Sequence, residues 1–369
     1  MSVIKRLFHR VVVRPMKTTF ATSLGAKKAA TSVLVKVSLS DGREGLGEVP
    51  TSFVMPHETP AAISAILGEA RPMFAGNRID DYSQILARLR RQHPTFHMTL
   101  AGLEVAMFRA ALVAARRPSL AAASGGGSQG CPPPIAEWRH WGGRSTVLET
   151  DITIPFVPNG DELKAWLRRI TPKGFTTYKI KVSGRIDQDM AFLHAVREIL
   201  HAALPRFVIR LDGNQGYTAR NYGRMIQALE KARIEIELFE QPLRKDDFAG
   251  LRRIRGAGRA PVVLDETIFC GEDCRRVIDQ DLGDGVNVKI AKSGLAESSA
   301  IIQLARQAGL KLMIGCMTET MVGLSAGIRM AAGSGAFDYV DLDSIHFLYH
   351  PPRTDGIAID GCRYVLESR

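Results

Sequence analysis

From Thr150 onward the sequence repeats one pattern eight times: a short β-forming run, then a stretch whose apolar residues recur at helical spacing. The runs are TDITIPF, TTYKIKV, RFVIRLD, IEIELFE, APVVLDE, DGVNVKI, LKLMIGC and FDYVDLD. A helix between two strands carries the chain back to the same end of the sheet, so such strands pair in parallel. Eight units in unbroken series predict an α/β fold, a closed (β/α)8 barrel.

The first half of the chain follows another rule. RLFHRVVVRP reads as a strand, and SVLVKVSLSDGREGLGEV as a hairpin turning at Asp41-Gly42, which makes residues 1 to about 50 a small antiparallel sheet. PAAISAILGEARPMF and MTLAGLEVAMFRAALVAARR carry apolar residues at helical spacing. AAASGGGSQGCPPP, at 121–134, has the Gly/Ser/Pro content of a surface connection.

Composition excludes several classes. No apolar run is long enough to span a bilayer, so no membrane association is expected. The five cysteines are odd in number and widely spread, which suits a reducing compartment better than a disulfide framework. Lys5, Arg6, Arg10, Arg14 and Lys17 all precede Asp41, the first acid, and give the N-terminus the charge of a transit peptide. Its strand and hairpin pattern instead predicts folded structure, and the expected location is the cytoplasm. The net charge of +11 favours anions. With scattered arginines and neither a zinc-finger spacing nor an RNP motif, nucleic acid is not the expected partner.

Chemistry in a barrel gathers at the C-terminal ends of the strands. Here the second run ends in Lys179 and Lys181, the third in Asp212, the fourth in Glu240, the fifth in Asp265, the sixth in Lys289 and the eighth in Asp341 and Asp343. From Lys181 to Lys289 these groups recur every 24–31 residues or so, about one strand–helix unit, and should converge on one mouth. Three carboxylates on adjacent strands repel one another unless a cation lies between them. A hard divalent ion with oxygen ligands fits, and Mg2+ is the first choice, one per chain, with Mn2+ able to substitute. Lys179 and Lys181 share one face of their strand by the two-residue period, on a surface where unpaired ammonium groups would be costly. Beside such a metal they gain a purpose. Lys181 and Lys289 would reach a bound carboxylic acid from two faces and exchange its α-proton, while Lys179 stays as a fixed positive charge beside the enediolate. Lys292, three residues past Lys289, competes for the sixth-strand role but reads as a solvated or phosphate-type lysine of the loop or first helical turn.

YKIKV, IRLDGNQGYT, IELFEQPLRKDDFAGL, VVLDET and VNVKIAKSGL together resemble the muconate-lactonizing subgroup of the enolase superfamily, along nearly the whole chain. The superfamily's use of a Lys or His base with Mg2+ is a known pattern. The resemblance implies Asp212, Glu240 and Asp265 as metal ligands and Lys181 and Lys289 as the acid/base pair. It also implies an α+β capping domain over 1–120, joined by the segment from about 345 to 369, a connection over 121–145 and a catalytic barrel over 146–345. A lysine on the sixth strand separates the chain from the mandelate-racemase subgroup. Within the subgroup the chain is most similar to dipeptide epimerases of the Ala-Glu type. That likeness implies substrate contacts at Thr153 in LETDITI, Thr318 in GCMTET and Lys179, with Asp341 and Asp343 on the α-ammonium of a dipeptide. Gly25 stands about where those enzymes carry an arginine, with Lys27 and Lys28 as the nearest cations.

The function implied is 1,1-proton transfer at the C-terminal residue of a dipeptide, in a homo-oligomer. The alternatives are an N-acylamino-acid racemase, an o-succinylbenzoate synthase or a muconate cycloisomerase. None of their substrates carries an ammonium group, so Asp341 and Asp343 discriminate.

Overall fold

The protein is described here from a computed structural model covering residues 2–115, 134–157, 159–349, 353–354 and 356–367. The Gly/Ser/Pro-rich stretch of the connection therefore lies outside the described residues up to Pro133. Strands β1 (Ile4–Thr22), β2 (Gly25–Leu39) and β3 (Glu44–Pro50) form an antiparallel sheet in that order. The β2–β3 turn is the expected one at Asp41-Gly42, with Gly42 at φ +86°. Alternation on β2 turns Val33, Val35 and Val37 inward against Ile63, Leu67 and Phe74 of helix α1 (Pro60–Phe74).

Helix α2 (Tyr82–Gln92) leads to α3 (His97–Ala115), which lies along β3. A Cβ at Gly47 would stand 2.0 Å from the carbonyl oxygen of Gly102, so strand and helix meet backbone to backbone. After helix α4 (Pro134–His140) and strand β4 (Val147–Glu149) come the eight expected barrel strands. They are β5 (Ile152–Ile154), β6 (Thr177–Lys181), β7 (Val208–Asp212), β8 (Phe239–Glu240), β9 (Val262–Leu264), β10 (Gly285–Lys289), β11 (Lys311–Gly315) and β12 (Tyr339–Asp341). All eight lie in one sheet in sequence order, each parallel to its neighbours. The N–H of Asp151, just before β5, donates to the Val340 carbonyl (3.3 Å) and joins the two ends of the sheet.

Period-2 alternation sorts the strands. Tyr178, Ile180, Ile209, Leu211, Val286 and Val288 point outward into a core shared with Trp166, Leu193 and Val196 of the surrounding helices. Opposite parity points inward. Leu238, Val263 and Met313 fill the barrel, and the polar strand ends stand at its mouth. Lys179 and Lys181 thus lie on the interior face, while the apolar face of β6 meets the helices.

The last strands, β13 (Arg353–Thr354), β14 (Ile357–Asp360) and β15 (Arg363–Leu366), pair with β4 in the order β13-β14-β15-β4. An isolated β-bridge, Met16 to Leu348, joins this end of the chain to β1. No helix among the described residues is long and apolar enough to cross a membrane.

The N-terminal unit docks on the barrel through buried glutamates. Helix α5 (Gly160–Ile170) follows β5, and α6 (Ile186–Ala203), α7 (Ala219–Lys231), α8 (Phe248–Ile254), α9 (Gly271–Gln280), α10 (Ile290–Gln307) and α11 (Met321–Ser334) follow the next six strands. Glu48 of β3 accepts the N–H groups of Thr320 (2.9 Å) and Gly323 (3.0 Å) at the start of α11. Glu104 of α3 accepts those of Leu295 and Ala296, both at 3.0 Å, where α10 breaks at Gly294 (φ +77°) and begins again. A negative side chain at a helix N-terminus satisfies orphan donors and complements the helix dipole.

Candidate active site

The strand ends bring the expected groups together in register. Across adjacent strands Lys181 pairs with Asp212 and Asp212 with Glu240, while Thr153 lies beside Lys179. Lys181 Nζ donates to Asp212 Oδ2 at 2.5 Å, and Lys179 Nζ to Glu240 Oε2 at 3.1 Å and to Asp341 Oδ2. Across the mouth, Lys289 Nζ donates to Asp265 Oδ2 at 2.6 Å. All of these side chains are buried.

The charges are interleaved, cation against carboxylate. Burial alone would lower the ammonium pKa of Lys179, but Asp341, Glu240 and Asp212 around it outweigh that and raise it well above the ordinary lysine value. Lys289 likewise loses to burial and gains more from Asp265 and Glu240, ending above its ordinary value. These carboxylates favour the charged forms of Lys179 and Lys289. Asp265 shows the reciprocal effect. Its burial penalty is outweighed by Lys289 and Lys292, which hold the carboxyl below the usual range.

Lys292 corrects a sequence expectation. It is buried rather than solvated, and its Nζ donates to Asp265 Oδ1 (2.7 Å), the Asp265 carbonyl (2.6 Å) and the Asn287 carbonyl (3.3 Å). The first turn of α10 tucks it beneath the ends of β9 and β10. Its role in this geometry is to fix Asp265.

Several participants escaped the sequence reading. Asn287, two residues before Lys289 and so on the same inward face, donates to Glu240 Oε1 at 2.7 Å. The Asn214 N–H donates to Asp212 Oδ1 (2.9 Å), and its side chain to Glu266 Oε1 (3.3 Å). Burial, with Asp265 and Asp212 nearby, pushes the Glu266 carboxyl up to about 8. Deeper inside, Arg210 Nη1 donates to Asp151 Oδ2 (2.7 Å) and the Val340 carbonyl (3.0 Å). The signal for Asn287 and Arg210 was parity: each lies two residues before a recognised strand-end group.

Thr153, Lys179, Lys181, Lys289, Thr318, Asp341 and Asp343 line one cavity of about 90 Å3. Thr153 N–H donates to Asp343 Oδ2 at 2.7 Å, tying β5 to the end of β12. Thr318, half-buried, stands on the loop after β11. The N-terminal unit closes the opposite wall with Phe20, Leu24, Lys27, Phe53 and Val54. Its β1–β2 tip touches the barrel through Ser23 Oγ, which donates to the Asn214 carbonyl (2.8 Å). Gly25 faces the Phe53 ring, where a Cβ would stand 3.0 Å from two ring carbons, so an arginine there would displace the ring. Lys27, mostly desolvated, has an ammonium pKa lowered to about 8, with Cys316 opposing that shift, whereas Lys28 is exposed.

The donor set fits a hard divalent cation. Asp212, Glu240 and Asp265 offer only carboxylate oxygens from three adjacent strands, without sulfur or imidazole. Around them Asn214 Oδ1, Glu266 Oε2 and Asn287 Oδ1 are buried acceptors without a hydrogen-bond partner, so the region has more acceptors than donors. The carboxylates whose oxygens already converge, within 4.8 Å, are a different trio: Asp151, Asp341 and Asp343.

Known proteins resemble the chain along nearly its whole length. Residues 162–368 match the family described as Enolase C-terminal domain-like. The chain is 31% identical to the Aromatic dipeptide epimerase of Herpetosiphon aurantiacus over 98% of its own length and 95% of the relative's. To the L-Ala-D/L-Glu epimerase of Bacillus subtilis it is 29% identical, over 98% and 93% of the two chains. Among solved structures, the dipeptide epimerase of Enterococcus faecalis, complexed with Mg and the dipeptide L-Leu-L-Tyr, superposes with a TM-score of 0.85 at 26% identity. That superposition covers 99% of this chain and 97% of the other.

Proposed function

The chain belongs to the Enolase C-terminal domain-like family and is an isomerase, and on that footing we propose that it is a magnesium-dependent dipeptide epimerase inverting the α-carbon of the C-terminal residue. The observation that carries this reading is the arrangement of Lys181 and Lys289. They stand at strand ends on either side of the row Asp212, Glu240, Asp265 and line one cavity with Asp341 and Asp343. Residues 1–120 are taken as the cap and 146–345 as the catalytic barrel.

A magnesium ion held by Asp212, Glu240 and Asp265 would neutralise charge gathering on the substrate carboxylate. Once those carboxylates serve a metal, Lys289 would lose the partners that favour its charged form, and a neutral amine can accept a proton. One lysine takes the α-proton from its face, and the other returns a proton from the opposite face. Lys179 stays charged among Asp341 and Glu240 and faces the oxygens on which negative charge develops. Asp341 and Asp343 receive the free N-terminus, and Thr153 and Thr318 border the same space.

The test is a dipeptide library incubated in D2O with Mg2+. Deuterium at the C-terminal α-carbon together with inverted product supports the reading. Turnover confined to N-acylated amino acids, or to substrates without any amine, overturns it.

A further inference from the structure

Behind Asp341 and Asp343, which line the cavity, stands a third carboxylate, Asp151, which is not part of that lining. One carboxylate oxygen each from Asp151, Asp341 and Asp343 lie within 4.8 Å of one another, and all three side chains are buried. Each carboxylate has one oxygen committed. Asp151 Oδ2 accepts from Arg210 (2.7 Å), Asp341 Oδ2 from Lys179, and Asp343 Oδ2 from the Thr153 N–H (2.7 Å). The second oxygens are idle. Asp151 Oδ1 and Asp341 Oδ1 are buried without a partner, and Asp343 Oδ1 meets only the weak donor Cys316 Sγ at 3.8 Å.

Charge points the same way. The two cations in contact with this trio are shared with other acids, Lys179 with Glu240 and Arg210 with Glu237. Three buried carboxylates therefore face less than two positive charges. The strain is visible in their protonation: burial first, then the neighbouring Asp341, drives Asp151 well above the ordinary carboxylate value and Asp343 to about 6. Three oxygens no more than 4.8 Å apart share a point no more than about 2.8 Å from each, within the reach of charge-assisted N–H···O bonds. An ammonium has three N–H groups to give.

We propose that Asp151 is the third carboxylate of the ammonium site, completing with Asp341 and Asp343 a three-oxygen seat for the substrate's N-terminal –NH3+, with Arg210 holding Asp151 in position. The inference rests on the dipeptide reading and adds a binding residue to it. A purely structural Asp151, present only to neutralise Arg210, would affect every substrate alike. A seat for –NH3+ distinguishes a free amine from a blocked one.

The experiment compares wild type and Asp151→Asn, both Mg2+-loaded, on a dipeptide and on its N-acetyl derivative. Asparagine keeps an oxygen for Arg210 but loses the charge. The expected result is a fall in kcat/KM of about 10-fold or more on the free dipeptide and under about 3-fold on the acetylated one, in line with loss of one hydrogen bond to a charged group. Equal falls on both, or none, overturn the inference. If the wild type epimerises no dipeptide, the functional reading is what has failed. A crystal structure of the wild type with Mg2+ and a free-amine dipeptide decides the same point without a variant. The amine nitrogen should lie within about 3.2 Å of all three carboxylates. A nitrogen beyond hydrogen-bonding reach of Asp151, or a metal ion seated in the triangle, overturns it.

Discussion

Lys292 Nζ bonds the same residue twice, through the Oδ1 of Asp265 at 2.7 Å and through its backbone carbonyl at 2.6 Å. Both contacts are out of water. Lys292→Met should therefore strand buried acceptors and lower unfolding stability by about 3 kcal/mol in a urea titration. The magnesium concentration giving half-maximal activity should rise as well, because Asp265 is no longer fixed. A variant as stable as the wild type would mean that the ammonium is dispensable to the fold.

The two lysines that flank the carboxylate row should be separable. With Lys289→Ala, epimerisation stops while one epimer still exchanges its α-proton with D2O through Lys181. With Lys181→Ala, exchange survives only from the other epimer. NMR of the α-position reads both experiments, and normal epimerisation by both variants would end the two-base account.

Metal dependence has its own test. EDTA should abolish activity, and Mg2+ should restore it. Glu240→Gln keeps the bond from Asn287 and removes a charged ligand, for which we expect a loss of about 100-fold in kcat/KM, comparable to the larger effects of disturbing a metal site. Full turnover in excess EDTA would refute the ligand assignment.

Much of this was legible from the chain alone, for physical reasons. Strand–helix alternation fixes a parallel sheet, and the even spacing of Asp212, Glu240 and Asp265 follows from one unit per strand. Lys292 was misread because a lysine in a first helical turn is solvated unless the chain beyond it turns back. Here α10 breaks at Gly294, and Glu104 reaches in from α3 to cap its second part. That contact joins residues 191 positions apart, and no local pattern encodes it. Arg210 and Asp151 were readable in principle. Counting back by two from Asp212 and Thr153 turns both inward.

Glu319 offers a readout in pH. Burial, then Glu48 beside it, raises its carboxyl from 4.5 to about 8. A carboxyl raised on folding binds its proton more tightly in the native state, so the stability it contributes is complete below pH 4.5 and is lost as pH climbs through about 8. Glu319→Gln should remove that loss. The variant's advantage in Tm should be small near pH 5 and largest near pH 9, where it should be worth on the order of 1–3 kcal/mol. A constant offset between the two curves would mean that Glu319 does not titrate in this window.

Glu48 and Glu104 make the barrel dependent on its neighbour for the N-termini of two of its own helices, those after the strands that carry Lys289 and lead to Thr318. A barrel expressed from residue 146 onward would keep every group of the Asp212–Glu240–Asp265 row and yet lose the anchoring of two of its helices. The β1–β2 tip touches the barrel through Ser23, which donates to two main-chain carbonyls, with Phe20 behind it meeting Phe347 edge-on. Variation can accumulate at Leu24 and Lys27 without loosening the root. Selectivity can drift there while the chemistry stays fixed, and a graft of the tip between relatives should carry substrate preference with it where a graft of the whole N-terminal unit would have to bring its glutamates along.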